Sequence, residues 1–455
     1  MAKRSNVYQC KNCGYEMVGF LGKCPQCNEF GTMEIVQTDM PKKNKQKLES
    51  VPTKLIDVDA TNSERIKTNI SEFDRVMGGG IVRDSVTILT AKPGAGKSTL
   101  LLQVANLLAA QGLKVLYASG EESSSQIKSR ALRILDNINE NLFVVSDNRL
   151  DEIIETVKKI DAQFIIVDSI QTFTIEEALP SRAGSPTQTM GCAYELVKLA
   201  KESKKPRVVF IVGQMTKEDE LAGVRALEHL VDCVLMIEGE SGEELRSLIS
   251  TKNRYGSTGE IGFFSMTEKG MISIDNPSEF FMTKRSQDDN VSGSTLTVVK
   301  EGTRPIILEI ESLVSHSFTP YPSRISDTLK RDQLNTLVSV LEQRGGINLY
   351  DKNVVIKTTG GIKLKDQASN LATIISIASS CHGIPIDTDT VFLADVGLTG
   401  ELKKIPSLEP RLKEAERMGI KKAYVADEVK IYTKFNSLKI IKRKLLKDVL
   451  NDFFK

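Results

Sequence analysis

After Asp84, short runs of aliphatic and β-branched residues alternate with stretches of helical periodicity through the middle of the chain. This alternation is typical of a parallel sheet with helices on its faces, so it predicts an α/β fold for this region. Ligands of such sheets gather at the carboxyl ends of the strands. The runs predicted to be strands are residues 86–89, 115–117, 143–145, 164–167, 208–212 and 234–237.

Beyond about residue 276 the pattern changes to a mixture of amphipathic stripes and short strands. Helical spacing relates Leu334, Leu337, Val338 and Leu341, and again Leu371, Ile374, Ile375 and Ala378. Strands are predicted at residues 354–356, 391–393 and 423–425. We therefore expect a separate α+β domain at this end of the chain.

A glycine-containing turn follows the first predicted strand and precedes a long helical pattern. Its residues are Ala91, Lys92, Pro93, Gly94, Ala95, Gly96, Lys97, Ser98 and Thr99. Strand, turn and helix are the context of a phosphate-binding loop, in which backbone N–H groups surround an anion. We expect Lys97 to reach the β- and γ-phosphates of ATP and Ser98 to supply a hydroxyl to Mg²⁺. The motif has glycine where Ala91 stands, and a methyl group fits there if φ stays negative.

Polar side chains follow three of the other predicted strands. Asp168 ends one strand, where a carboxylate holds Mg²⁺ through water. Glu121 and Glu122 follow a neighbouring strand and suit the orientation and deprotonation of a water for attack on the γ-phosphate. The alternative for these two acids is the acidic first turn of a helix. Gln214 ends another strand with an amide that could sense the γ-phosphate.

Four of the seven cysteines lie within the first thirty residues, as two C-x-x-C pairs. Cys10, Cys13, Cys24 and Cys27 have the spacing of a tetrahedral Zn²⁺ site with four thiolate ligands. Two disulfides or a redox pair are the alternatives, and the doubled spacing disfavours both. A site closed by four protein ligands predicts a structural and partner-binding role. Cys192, Cys233 and Cys381 are scattered and fit small buried apolar positions.

The 455 residues are enough for two or three domains. The formal net charge of +2 does not by itself indicate nucleic-acid binding, so any such binding must come from local patches. Since no apolar run approaches the roughly 18 residues that span a bilayer, we expect a cytoplasmic protein without membrane contact. The predicted boundaries are a zinc knuckle at 1–37, a polar linker at 38–62, an ATPase domain at 63–275 and a C-terminal domain at 276–455.

Several uncommon strings occur in one order along nearly the whole chain. After the four cysteines come Met77-Gly78-Gly79-Gly80, the loop continued by Ser98-Thr99-Leu100-Leu101-Leu102-Gln103, Ser119-Gly120-Glu121-Glu122-Ser123, Val167-Asp168-Ser169-Ile170-Gln171-Thr172, Thr216-Lys217-Glu218 with Leu227-Glu228-His229, and Lys252-Asn253-Arg254-Tyr255-Gly256. In these strings the chain resembles the bacterial RadA/Sms DNA-repair ATPases. It departs from them at Ala91, at Arg83-Asp84 in place of Pro-Gly, and at Gln214 in place of a usual His.

The resemblance implies a RecA-like P-loop ATPase that forms a hexameric ring on single-stranded DNA. It would promote branch migration of recombination intermediates beside RecA. Glu121 matches the catalytic glutamate, with Glu122 as a second candidate. Lys252 and Arg254 would reach a neighbouring subunit's nucleotide as an arginine finger does, or would contact DNA. A nucleotide-gated mediator that does not translocate is the alternative function.

The resemblance also implies a DNA-binding loop at residues 181–188, with Arg182 and Gln188 as phosphate contacts; a disordered loop without a ligand is the equal alternative. The C-terminal domain resembles the Lon-protease-like domain of the family. There Ser369 falls near the nucleophile position and Lys413 near the lysine of a Ser-Lys dyad. Because the glycines that flank the Lon serine are missing, a protease is the least favoured function. A basic DNA surface is expected instead, at Lys363, Lys365, Lys403, Lys404 and Arg411, with ordinary solvated side chains as the equal alternative.

Overall fold

The computed structural model describes residues 7–18, 21–36, 54–57, 65–202, 205–214, 224–239, 242–283, 285 and 291–454. The chain divides into two compact units, Met1–Ala60 and Thr61–Lys455. The expected boundary near residue 275 lies within the second unit. The expected linker at 38–62, apart from residues 54–57, and the string at 216–218 lie outside the described residues.

The first unit contains a small antiparallel sheet built around the cysteine pairs. Its strands are β1 (Val7–Cys10), β2 (Glu16–Val18) and β3 (Met33–Val36), in the order β2-β1-β3. Cys10, Cys24 and Met33 are its fully buried apolar residues among those described. So small an apolar core does not stabilise a fold alone, which fits a unit held by a metal ion.

The second unit opens with a two-stranded ribbon and then a nine-stranded sheet. The ribbon is β4 (Arg65–Ile66) with β5 (Ile81–Val82). The sheet contains β6 (Val86–Ala91), β7 (Val115–Ser119), β8 (Leu142–Ser146), β9 (Phe164–Asp168), β10 (Val208–Gln214), β11 (Cys233–Glu238), β12 (Leu245–Asn253), β13 (Ile261–Thr267) and β14 (Gly270–Ser273). Their order is β14-β13-β12-β11-β6-β10-β9-β7-β8.

The pairings from β11 to β8 are parallel, whereas β12, β13 and β14 extend the sheet in antiparallel fashion. Every strand predicted for this region is confirmed. The helices are α1 (Ser71–Val76), α2 (Lys97–Ala110), α3 (Ser124–Ile134), α4 (Leu150–Ile160), α5 (Pro186–Ala200) and α6 (Val224–Leu230).

Both faces of the parallel strands are covered, which explains their continuous apolar runs. In β9, Phe164 and Ile166 belong to the apolar cluster that includes α2. Ile165 and Val167 belong to a second cluster, on the face covered by α4 and α5. The edge strand β8 differs, because Phe143 and Val144 are each 36% exposed. A doubly covered sheet leaves its carboxyl edge as the place where polar side chains collect.

The C-terminal part forms a seven-stranded mixed sheet in the order β17-β18-β16-β15-β19-β22-β23. The strands of this sheet are β15 (Ser294–Glu301), β16 (Arg304–His316), β17 (Arg324–Ser326), β18 (Lys352–Thr358), β19 (Thr390–Leu393), β22 (Lys422–Ala426) and β23 (Lys439–Arg443). A separate two-stranded sheet is formed by β20 (Asp395–Val396) and β21 (Leu402–Lys403). The helices are α7 (Pro277–Phe280), α8 (Arg331–Val340), α9 (Asn370–His382), α10 (Leu408–Arg417) and α11 (Leu446–Phe454). Both predicted stripes are helical, and the three predicted strands are β18, β19 and β22.

Elements of the two large sheets and their helices pack against each other. Glu72 of α1 is almost fully buried and pairs with Arg304 of β16 at 2.8 Å. Phe263 of β13 meets Phe281 edge to face, with 5.4 Å between ring centroids. The observed architecture confirms the predicted α/β fold class. Within the described residues, no helix is both long enough and apolar enough to cross a bilayer.

Candidate nucleotide and metal sites

The phosphate-loop residues join the end of β6 to the start of α2. Gly94 and Gly96 have φ values of +78° and +104°, the left-handed region that glycine adopts without strain. A Cβ at Gly96 would also lie 2.4 Å from Cε of Met266. Ala91 is buried at the end of β6 and does not have a positive φ. The alanine therefore fits the loop without backbone strain.

Lys97 is the first residue of α2, and its side chain is buried inside the loop. Its Nζ donates to the carbonyl oxygen of Ala91 at 3.0 Å. Burial lowers the pKa of Lys97, and the carboxylates of Asp168 and Glu121 act in the opposite direction. Both predicted carboxylates are therefore close enough to the loop lysine to influence its charge.

The first turn of α2 presents N–H groups to the loop. Leu100 makes the first helical hydrogen bond, to the carbonyl of Gly96 at 2.9 Å. Among the described residues, the N–H groups of Lys97, Ser98 and Thr99 have no backbone acceptor. A buried ammonium group beside free helix N–H groups fits the phosphates of a nucleotide.

Asp168 lies at the carboxyl end of β9, opposite Ser119 of β7. Its Oδ2 accepts a hydrogen bond from Ser98 Oγ at 2.6 Å and a second from Tyr117 Oη at 2.5 Å. The predicted Ser98 and Asp168 are therefore brought together as hard oxygen donors, the kind that Mg²⁺ prefers. Burial and the Asp168 charge raise the pKa of Tyr117 well above its usual value. No motif indicated Tyr117, and the one signal was a tyrosine within a fully buried strand.

Glu121 faces the same group of residues. Its Oε1 accepts from Ser169 Oγ at 2.5 Å and from Gln214 Nε2 at 2.9 Å. Gln214 thus contacts the predicted base directly at the end of β10. Ser169 lies in one of the sequence motifs but was given no role there. It follows the last residue of β9, and its hydroxyl holds the same carboxylate.

Glu122 points elsewhere. Its carboxylate forms an ion pair with Arg130 of α3, and its carbonyl accepts from Ser146 Oγ at 3.0 Å. The two predicted acids therefore have different surroundings: Glu121 lies beside the loop lysine, whereas Glu122 is bound to the helix that follows. Ser123 begins that helix with a capping box completed by Gln126.

Lys252 and Arg254 lie at the opposite edge of the sheet. Lys252 pairs with Val234, which pairs with Ile88 in the first half of β6. Its Nζ donates to the carbonyls of Glu228 and Val231. Burial, and then the charge of Arg254, lowers the pKa of Lys252. The structure does not bring this pair to the phosphate loop of its own chain.

Arg254 forms an ion pair with a buried aspartate. Asp232 is 1% exposed and accepts from Arg254 at 2.9 Å, from Lys201 at 3.1 Å and from the N–H of Val86 at 3.0 Å. Arg254 itself is half exposed. Asp232 therefore links the first residue of β6 to the cation that the sequence predicted to act on a neighbour.

The four N-terminal cysteines converge on one point. Their Sγ atoms all lie within 4.8 Å of one another, with Cys10–Cys27 at 3.6 Å and Cys13–Cys24 at 3.5 Å. Tetrahedral coordination with Zn–S bonds of about 2.3 Å places sulfur atoms about 3.8 Å apart. The observed set fits a four-thiolate zinc site, and all four cysteines are free thiols rather than disulfides.

Comparison with known proteins supports both sites. Residues 51–218 match the AAA domain family, and residues 8–34 match the rubredoxin metal binding domain family. The chain is 39% identical over 449 residues to the DNA repair protein RadA of Bacillus subtilis, an alignment that covers 97% of each chain. This chain belongs to the RadA family of DNA repair proteins. The ATPase domain makes it an ATP-hydrolysing enzyme, and the four cysteines form its zinc ribbon.

A second member of the family gives a similar result. The RadA of Listeria monocytogenes is 38% identical over 429 residues, which cover 93% of this chain and 92% of that protein. Among solved structures, the RadB recombinase is 20% identical, covers 46% of this chain and 99% of its own, and superposes with a TM-score of 0.37.

Two expectations drawn from the RadA resemblance need correction. Gln188 is not available to phosphate, because it is fully buried in α5 and its amide bonds the backbone of Ile175 and Ser181. Arg411 is not a surface residue, because it is 2% exposed, pairs with Asp366 at 2.6 Å and donates to the Val298 carbonyl. Arg182, Lys363, Lys365, Lys403 and Lys404 are at least partly exposed.

The possible dyad of the Lon-like region is not assembled. Ser369 is fully buried, and its hydroxyl donates to the carbonyl of Asp366 at 2.7 Å. Lys413 is exposed on α10. A serine without a neighbouring base is not an activated nucleophile. These contacts therefore agree with a protease as the least favoured function.

Proposed function

We propose that this RadA-family enzyme is a DNA-dependent ATPase that moves single-stranded DNA and promotes branch migration of recombination intermediates beside RecA. The observation that carries the proposal is the contact between Glu121 and Gln214 beside the phosphate loop. Any movement of Gln214 would therefore change the surroundings of the catalytic base directly.

Each residue of the site has a proposed task. Lys97 and the loop N–H groups bind the β- and γ-phosphates, and residues 91–99 enclose them. Ser98 and Asp168 hold Mg²⁺, which offsets the charge of the phosphate oxygens when it is bound. Glu121 orients and deprotonates the attacking water. We assign Glu122 no direct part, because Arg130 already binds its carboxylate.

Lys252 and Arg254 are proposed to act on the nucleotide of a neighbouring subunit in a closed ring of six. Their place at the amino edge of β6 argues against a role at the loop of their own chain. A cation supplied in trans stabilises the charge that develops during phosphoryl transfer. Hydrolysis would then require the neighbour, which couples it to movement between subunits.

The remaining parts have proposed partners as well. Arg182 in the loop after β9, together with Lys363, Lys365, Lys403 and Lys404, supplies positive charge for DNA. The zinc knuckle at 1–37 precedes the linker at 38–62 and contacts a partner. The ATPase domain at 63–275 is followed by a Lon-protease-like domain at 276–455, which serves as a ring-forming scaffold.

The direct test compares hydrolysis with and without single-stranded DNA for wild type and Lys97→Ala. Lys158→Ala, which removes an exposed lysine from α4, is the matched control. We expect DNA to stimulate wild type and the control, and Lys97→Ala to lose hydrolysis. For each phosphate that the protein neutralises, log K for DNA binding should fall by about 0.7 per tenfold increase in salt concentration. Salt-insensitive binding would contradict DNA as the partner.

A mixing experiment tests the neighbour's role. Lys97→Ala and Arg254→Ala proteins should each be inactive alone. Mixed rings contain sites in which an intact Lys97 faces an intact Arg254, so hydrolysis should return. Recovery would not occur if both residues served the same chain. A forked-DNA assay with hydrolysable ATP then separates a translocating motor from a nucleotide-gated mediator, which would bind without directional unwinding.

A further inference from the structure

The proposed mechanism assigns no task to the buried hydroxyl of Tyr117, which lies at the nucleotide site. Tyr117 is the third residue of β7 and is fully buried, with its ring in the apolar cluster that includes α2. Its backbone partner on β9 is Ile166, two residues before Asp168. Side chains two residues apart on a strand face the same side, so the hydroxyl reaches the carboxylate from within the sheet.

The two oxygens of Asp168 have different surroundings. Oδ2 accepts from both Tyr117 and Ser98, at 2.5 and 2.6 Å. Oδ1 has no hydrogen-bond partner among the described residues. An ionised carboxylate accepts hydrogen bonds and donates none, so each hydroxyl must be the donor. Two donors on one oxygen fix the rotation of the carboxylate and leave the other oxygen for the metal's coordination sphere.

Ser98 alone would hold the carboxylate less reliably. Its hydroxyl oxygen is the expected metal ligand, so its position depends on whether metal and nucleotide are bound. Tyr117 is held by a rigid aromatic ring in a packed core, and its position does not depend on the ligand. Groups that bond to a metal-binding carboxylate orient it for the metal.

We propose that Tyr117 is a positioning residue that holds the Asp168 carboxylate in the orientation required for the metal bound with nucleotide. This inference rests on the proposed function, because it concerns the metal that accompanies ATP. Tyr117 itself would contact neither the nucleotide nor the metal, and it would act only through Asp168. The packing contribution of its ring is separate, since phenylalanine would fill the same space.

The test measures metal binding rather than turnover. Full-length Tyr117→Phe is titrated with Mn²⁺ in the presence of a non-hydrolysable ATP analogue, and free Mn²⁺ is followed by electron paramagnetic resonance. We expect about 10- to 100-fold weaker Mn²⁺ binding, the usual effect of removing an outer-shell partner. Binding of the analogue without divalent metal should stay within about twofold of wild type, since Lys97 and the loop are unchanged.

Tyr424→Phe is the matched control. Tyr424 is also a buried tyrosine whose pKa is raised by burial and by a nearby aspartate, Asp452, but it lies in the C-terminal sheet. The Tyr424→Phe variant should bind Mn²⁺ with the same affinity as wild type. Equal Mn²⁺ affinity in Tyr117→Phe and wild type would overturn the proposal. So would a parallel loss of metal-free analogue binding, which would indicate a general distortion of the loop.

A double-mutant cycle tests whether Tyr117 works through Asp168. Asp168→Asn should weaken Mn²⁺ binding, and adding Tyr117→Phe to it should cause no further loss. Additive losses would overturn the proposal even if each single variant behaved as expected. Wild type that takes up no Mn²⁺ with nucleotide would contradict the proposed function together with this inference. Normal wild-type binding with an unaffected Tyr117→Phe would contradict the inference alone.

Discussion

Replacing each of two adjacent glutamates by glutamine should separate the catalytic base from its neighbour. Glu121 accepts from Ser169 and Gln214, and glutamine can keep both contacts through its amide oxygen. Loss of a general base costs about 10²- to 10⁴-fold in rate, or about 2.7–5.4 kcal/mol at 1.36 kcal/mol per decade. Glu122→Gln removes an ion pair with Arg130 whose side chains are 28% and 21% exposed. Even if a contribution of about 1 kcal/mol were lost entirely from the transition state, the rate would fall only about fivefold.

The assay is phosphate release in a single turnover at saturating ATP, Mg²⁺ and single-stranded DNA. Binding of a fluorescent ATP analogue, measured in parallel, should be similar in wild type and both variants. We expect Glu121→Gln to be at least about 20-fold slower than Glu122→Gln, given the ranges above. Equal losses in the two variants, or a larger loss in Glu122→Gln, would refute the assignment of Glu121 as the base.

Four other substitutions have expected results. Gly96→Ala should lower the free energy of unfolding by about 2–5 kcal/mol in urea titrations, from a left-handed backbone and a clash with Met266, and should abolish nucleotide binding. Gly94→Ala meets no atom within 4 Å, so only the backbone cost of about 1–2 kcal/mol is expected. Cys24→Ser should leave the purified chain without zinc by metal analysis, because one thiolate of four is lost. Ser369→Ala should leave DNA-stimulated hydrolysis unchanged and lower the unfolding free energy by about 0.5–1.5 kcal/mol, and a larger effect on hydrolysis would contradict a purely structural role.

The features that the sequence predicted are those set by residues close together in the chain. The phosphate loop depends on glycines at fixed spacing, and Gly94 and Gly96 have the backbone angles that the motif requires. The parallel strands were visible because burial on both faces demands uninterrupted apolar runs. The zinc site was visible because two short hairpin turns each supply two sulfurs.

Partners that meet across the fold could not be predicted in the same way. Which hydroxyl reaches Asp168 depends on the register of β7 against β9, and no local pattern encodes that register. Gln188 and Arg411 looked like surface residues because their types usually are. Each is buried instead, with its hydrogen bonds made to distant backbone groups. Burial of a polar side chain requires such partners, and these come from elsewhere in the chain.

The contacts of Lys252 and Arg254 differ in how readily each cation could leave them to act on a neighbouring nucleotide, as proposed. The ammonium of Lys252 donates to two backbone carbonyls and is partly desolvated, so its departure would leave buried acceptors unsatisfied. Arg254 is half exposed, and its partner Asp232 keeps Lys201 and the N–H of Val86 when Arg254 leaves. Because the buried Asp232 keeps these two donors, loss of Arg254 does not leave its charge uncompensated. Of the two cations proposed to act in trans, Arg254 therefore leaves its present contacts more readily than Lys252 does.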